Sequence, residues 1–164
     1  MVHVYKKLVQ IRKNNAGKKI VYCSGTFDLT HAGHIIFFED CKKLGDILVV
    51  GLGPDKDIKR NKNPMGPILN QHIRLKTISS LKPVDFCFVG TPFKNGQHKL
   101  ADMKEIFKSL KPDIYVINED AWLINERKSI ARVYGVTLVI LKRWCPFEFE
   151  NISTSKIIEK IKTL

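Results

Sequence analysis

The chain has 164 residues, with 28 Lys and Arg against 16 Asp and Glu and 44% hydrophobic residues, which suits one globular domain and excludes a disordered chain. No apolar run approaches the ~20 residues that cross a bilayer, and the basic first 18 residues carry neither an apolar core nor a small-residue cleavage site, so a soluble, cytoplasmic protein is expected. Cys23, Cys41, Cys87 and Cys145 form no C-x-x-C pair and read as packing thiols in a reducing compartment, while the formal charge of +12 points to nucleic acid, an anionic membrane surface or a small substrate carrying several phosphates.

In chain order, residues 1–18 read as a basic N-terminal extension, either a solvated helix or part of a contact between copies. Residues 19–23 are β-branched and aromatic and predict a short strand. Residues 33–44 place Ile36, Phe37, Cys41 and Leu44 at helical spacing, with Gly45 as the expected C-cap. A continuous apolar strand of the kind buried on both faces follows at 46–52. Residues 53–67 hold Gly53, Pro54, Pro64, Gly66 and Pro67 and read as a long loop, which also carries the densest basic run, Lys56, Lys59, Arg60 and Lys62. A helix over 70–81, a strand at 84–89, a helix over 99–110 and a strand at 114–117 come next. The helix over 124–134 is broken by Gly135, and a strand at 136–141 and a helix over 154–161 complete the chain. Five strands alternating with helices predict an α/β fold: a five-stranded parallel sheet with helices on both faces, forming one domain over 19–164. Ligands of such sheets bind outside the carboxyl ends of the strands, near the point where strand order reverses.

The segment from Ser24 to His34, directly after the first strand, is a turn feeding a helix start. Gly25 allows close backbone approach, the free N–H groups of a helix N-terminus attract phosphate, and His31 and His34, three apart, put both imidazoles on one side with Gly33 leaving room for a bulky anion. These residues alone leave two readings, a phosphate site or a structural histidine pair. A zinc site of the H-E-x-x-H kind needs different spacing, a glutamate and a third ligand, so no metal ligands are expected; G-x-x-x-x-G-K-[ST] and G-x-G-x-x-G loops are absent as well.

The run Gly25-Thr-Phe-Asp-Leu-Thr-His-Ala-Gly-His34 has the form GxFDxxHxGH and resembles the signature of the cytidylyltransferase-like nucleotidyltransferases. The likeness extends through residues 43–50, Asn70-Gln-His-Ile-Arg74 and Asn151-Ile-Ser-Thr-Ser-Lys156, covering about 19–164. It is similar to glycerol-3-phosphate cytidylyltransferase, heptose 1-phosphate adenylyltransferase, choline- and ethanolamine-phosphate cytidylyltransferases and archaeal FAD synthase. The resemblance implies a Rossmann-like fold and an enzyme that moves a CMP or AMP group from CTP or ATP to a phosphorylated small molecule, a sugar or polyol phosphate, releasing pyrophosphate. His31 and His34 would donate to the triphosphate, with the backbone of Gly25, Thr26 and Phe27 under the nucleotide and Gly33 beside it. Lys59 and Lys62 would reach the substrate phosphate or the triphosphate, Arg74 would contact phosphates, and Asp55 would face the acceptor. Ile152, Ser153, Thr154 and Ser155 would hold the β- and γ-phosphates. Asp120 and Arg143 would bind nucleotide, and Trp122 substrate. Asp28 is expected to hold the turn. Mg²⁺ on the triphosphate and a homodimer are also implied.

Two segments depart from the family pattern. A V-x-G-x-D segment becomes Val116-Ile-Asn-Glu-Asp120, with Asn118 in place of glycine, and an Arg-Thr-x-Gly link is replaced by residues 143–151, where Trp144, Phe147 and Phe149 are expected as a lid or stacking surface over the base, as core, or as a dimer contact. Asp120 and Trp122 tilt the base toward cytosine. The alternatives are an inactive nucleotide-binding sensor of the same fold and a basic nucleic-acid-binding module. The latter lacks helix-turn-helix and RNP patterns, so neither a nucleic-acid nor a membrane partner is expected.

Overall fold

A computed structural model describes residues 2–61, 66–94, 100–149 and 152–164. The strands are β1 (Ile20–Gly25), β2 (Ile47–Leu52), β3 (Phe86–Val89), β4 (Ile114–Asn118) and β5 (Thr137–Leu141). The helices are α1 (Val2–Asn14), α2 (Ala32–Lys42), α3 (Asp55–Asn61), α4 (Gln71–Ser79), α5 (Ala101–Leu110), α6 (Ile124–Val133) and α7 (Thr154–Lys162). All neighbouring strands pair in parallel, in the order β3-β2-β1-β4-β5, as the alternation of strand and helix requires.

β2, the apolar run between β1 and β3, is buried along its whole length. Side chains alternate between the two faces, so β1 sends Val21 and Cys23 into one apolar cluster with Phe38, Cys41 and Ile78 of α2 and α4. Ile20 and Tyr22 enter a second cluster with Met103, Phe107, Ile130 and Ala131 of α5 and α6. Leu8 of α1 belongs to this second core. The Tyr5 hydroxyl donates to Asp102 at 2.6 Å, and Arg12 donates to Leu110 O, Lys111 O and Asp113. α1 thus packs against apolar surface of α5.

Two local expectations are corrected. Residues 53–67 are not all loop: α3 forms there, with Asp55 and Asp57 complementing the dipole of its first turn and Ile58 buried beneath it. Gly45 is not the C-cap of α2, which closes at Lys43 in right-handed conformation. A Cβ on Gly45 would lie 2.8 Å from Lys19 O, so close approach to the start of β1 explains the glycine. Gly135, by contrast, ends α6 with φ +67 as expected.

The chain runs outward from β1 through β2 to β3, then returns to lay β4 on the other side of β1. The carboxyl ends of β1 and β4 therefore flank the crevice of this sheet. Among the described residues, no helix is long and apolar enough to cross a membrane.

Candidate active site

The turn after β1 is held by contacts that convert its sequence into a rigid cradle. Phe27 and Leu29 adopt φ of 49° and 42°, left-handed values that are strained for residues with a side chain. Asp28 fixes the loop as expected, its carboxylate accepting from the N–H groups of Leu29, Ile68 and Leu69 at 2.6–3.1 Å. His31 is then the extended residue before α2, and its carbonyl accepts from the N–H groups of His34 and Ile35.

This geometry stacks the two imidazoles, with centroids 3.9 Å apart and planes at 27°, and sets His34 edge-on to Phe27 at 5.4 Å. His31 is 7% exposed. Both of its ring nitrogens, and Nδ1 of His34, are buried without a hydrogen-bond partner among the described residues. Such unmet capacity disfavours the reading of a purely structural pair, whose polar atoms fold with partners. Burial lowers the pKa of His31, helped by the charge of Arg143. Burial, the neighbouring His31 and Arg143 lower that of His34 to about 3. Both rings are neutral at ordinary pH, each offering one N–H donor.

α7 closes the other side. Ser153 caps it by accepting the Lys156 N–H, and Thr154 Oγ1 donates to Asp28 O at 2.9 Å, tying the start of α7 to the histidine turn. The N–H groups of Thr154 and Ser155 precede the first intrahelical bond, made by Ile157 to Ser153 O, and remain available to an anion. Gly33 permits this junction: a Cβ there would stand 3.1 Å from the His31 ring and 3.5 Å from Ile152 O.

A cleft of about 840 Å³ runs along these elements, lined among others by Gly25, Thr26, Phe27, Gly33 and His34. Asp120, Trp122, Arg143, Thr154 and Ser155 also line it, so these expected nucleotide and substrate residues converge. Arg143 pairs with Asp120 at 3.0 Å, and Trp122 lies under the guanidinium of Arg127. His31, Ile152 and Ser153 do not line it themselves: His31 stacks on His34, Ile152 O faces Gly33 and Ser153 caps α7.

Three expected residues are used otherwise, and a fourth, Lys62, lies outside the described residues. Arg74 is wholly buried, its donors directed to Leu69 O, Thr26 O, Gly53 O and Asp55 Oδ1 at 2.6–3.0 Å. It therefore braces the loops after β1 and β2 and is turned away from phosphate. Asp55 accepts from Arg74 and from the Gln71 N–H, one bond on each carboxylate oxygen, and is not among the residues that line the cleft. Lys59 lays its aliphatic stem against Gly66 and does not line the cleft. Sequence reading missed Asp57, Asp102 and Arg127, all of which line the cleft. Asp102 and Arg127 fall within ordinary helical patterns, and Asp57 within a segment read as loop, so no local signal marks them.

A family model described as cytidylyltransferase-like matches residues 22–160. The chain belongs to this family. It is 39% identical over 160 residues to the bifunctional protein HldE of Helicobacter pylori strain J99, covering 96% of this chain and 30% of that protein, so it spans less than a third of those relatives. It is 34% identical over 155 residues to the FAD synthase of Ferroglobus placidus, covering 90% of each. Among solved structures, a lipopolysaccharide core biosynthesis protein from Thermoplasma volcanium superposes with a TM-score of 0.61 at 32% identity, covering 78% of this chain and 98% of that one. A pantoate-beta-alanine ligase from Francisella tularensis, TM-score 0.62 at 16% identity over 98% of this chain and 76% of that one, shares the fold.

Proposed function

We propose that the protein transfers the AMP group of ATP to the phosphate of a sugar or polyol phosphate, releasing pyrophosphate. The observation that carries the reading is the stacked His31–His34 pair, whose buried nitrogens lack partners beside the open start of α7. An acceptor phosphate oxygen attacks the α-phosphorus, the bond to the bridging oxygen breaks, and pyrophosphate leaves with the electron pair. No bond to the protein is needed. Catalysis then consists of alignment and of donors aimed where charge gathers. The two neutral imidazoles donate to the α- and β-phosphate oxygens, and the N–H groups of Thr154 and Ser155 receive the terminal phosphates. Arg143 exchanges its half-exposed contact with Asp120 for the triphosphate.

The preference for adenine is supported by the FAD synthase relative, since that name implies addition of an adenylyl group, and by the resemblance to heptose 1-phosphate adenylyltransferase. The cytosine expected from Asp120 and Trp122 is set aside on the strength of these relatives. Mg²⁺ fits as an ion carried in on the nucleotide. No group of three or more His, Cys, Asp or Glu converges as a metal cage among the described residues, and Mg²⁺ favours phosphate oxygens and water. When bound, it neutralises triphosphate charge. A homodimer and a cytoplasmic setting belong to the same reading.

Pyrophosphate release from Mg-ATP and Mg-CTP, measured across sugar 1-phosphates, glycerol 3-phosphate and flavin mononucleotide, tests it. Release with ATP and a sugar or polyol phosphate is expected. Release with CTP alone overturns the base, and nucleotide binding without release for any acceptor leaves an inactive binding protein.

A further inference from the structure

The cleft continues past the histidines, over the carboxyl edge of β1 and β4, to the face of the sheet covered by α5 and α6. There Phe88, Asp102, Met103, Ile106 and Arg127 line it. Arg127 is only 8% exposed. Its Nε donates to Trp122 O at 2.9 Å, its Nη1 donates to the Tyr115 hydroxyl, and its Cζ lies 5.3 Å from the centroid of the Trp122 ring. Nη2 has no hydrogen bond, and the guanidinium no carboxylate within ion-pair distance, among the described residues. Arg74, the other buried guanidinium, differs on this point, because Asp55 answers its charge.

A guanidinium stays charged at any ordinary pH, and a buried charge without a counter-ion is unfavourable. Arg127 is nevertheless held in one orientation by a carbonyl, a hydroxyl and an aromatic face, and it lines the cleft with Nη2 not engaged by any described residue. That arrangement suits bidentate capture of a phosphate. Its position suits the reaction as well. The Tyr115 hydroxyl that Arg127 contacts lies 3.4 Å from Ser24 Oγ, and Ser24 adjoins Gly25, beneath the nucleotide end of the cleft. Through Tyr115 and Ser24, Arg127 is therefore linked to the part of the cleft wall formed by the turn after β1.

The same lobe contains two carboxylates. Asp102 accepts from the Tyr5 hydroxyl and the Thr91 N–H, and Asp57 accepts from the Phe93 N–H. Burial pushes both carboxyls above their ordinary pKa. Hydroxyl donors suit these walls, whereas a second anionic group does not.

We propose that Arg127 anchors the attacking phosphate of the acceptor, and that the acceptor's remaining body is a neutral polyhydroxy chain or ring directed toward Asp57 and Asp102. The inference deepens the adenylyl-transfer reading and rests on it for the identity of the nucleotide.

Thermal unfolding of the full chain provides the test, with inorganic phosphate as probe, in the presence and absence of Mg²⁺ and the non-hydrolysable analogue AMPCPP. With the analogue filling the histidine end, phosphate is expected to raise Tm saturably in the wild type. Arg127→Met should abolish the response, and Arg127→Lys, which keeps the cation but loses the fork, should weaken it about ten- to a hundredfold. The affinity for AMPCPP should be unchanged in both. A purely structural arginine would lower the baseline Tm and leave the phosphate response intact in Arg127→Lys, and that result overturns the proposal. So does absence of a phosphate response in the wild type, or a parallel loss of AMPCPP affinity, which would put Arg127 on the nucleotide. If AMPCPP fails to bind the wild type, the adenylyl reading falls, while the phosphate titration without analogue, compared between wild type and Arg127→Lys, still decides the role of Arg127.

Discussion

Replacing Arg74 with methionine separates a brace from a phosphate ligand. Methionine retains an apolar stem in a fully buried slot but removes donors that serve Leu69 O, Thr26 O, Gly53 O and Asp55 at 3.0, 2.7, 2.9 and 2.6 Å. Asp55 keeps 28% of its side chain in solvent and its bond from Gln71, so water partly compensates it. The carbonyls in the wholly buried slot fare worse. Breaking a buried, hydrogen-bonded charge pair destabilises by about 3–5 kcal/mol. At roughly 2–4 °C per kcal/mol for a domain of this size, Tm should fall by about 6–20 °C. Thermal and urea denaturation of the variant, read beside the kinetics of pyrophosphate release, check this. Because the brace joins the Thr26 and Gly53 carbonyls, activity should decline with the folded fraction. A variant within about 1 kcal/mol of wild-type stability that loses activity a hundredfold would refute the reasoning and return Arg74 to the phosphates.

His34→Ala should lower kcat by about 10² to 10³ with little loss of stability, because a preorganised donor is removed from a position where its nitrogen had no protein partner; single-turnover pyrophosphate release measures it. The histidines also predict how stability varies with acid. The unfolded chain takes up a proton on His34 near pH 6.5, whereas the folded chain does so only near pH 3. Across that window the unfolded state binds more protons, so stability falls as pH falls, by at most about 1.4 kcal/mol per unit from this group. Urea midpoints from pH 7 to pH 4 should show a shallower acid slope in His34→Gln than in the wild type; equal slopes would contradict the burial of that ring.

What the amino-acid order determined by itself is what neighbours in sequence can encode. Alternating apolar periods predicted five strands and their intervening helices, and since parallel strands require crossovers, the layered sheet followed. The GxFDxxHxGH run is contiguous, so its turn, its helix start and the proximity of His31 to His34 were legible before any packing was known. α3 was obscured by the Pro and Gly residues around it, and the packing of α1 by its basic surface, although Leu8 is buried against the α5 layer. Only the tertiary structure decided which partner each long cation finds. Arg74 meets the Thr26 carbonyl 48 residues away, and Tyr5 meets Asp102 across 97. Arg127 has no acidic partner within ion-pair distance among the described residues because the fold brings it a hydroxyl, a carbonyl and an indole instead. A guanidinium has the same reach in every sequence; whether it braces a loop or awaits an anion depends on which groups the returning chain brings within about 3 Å of it.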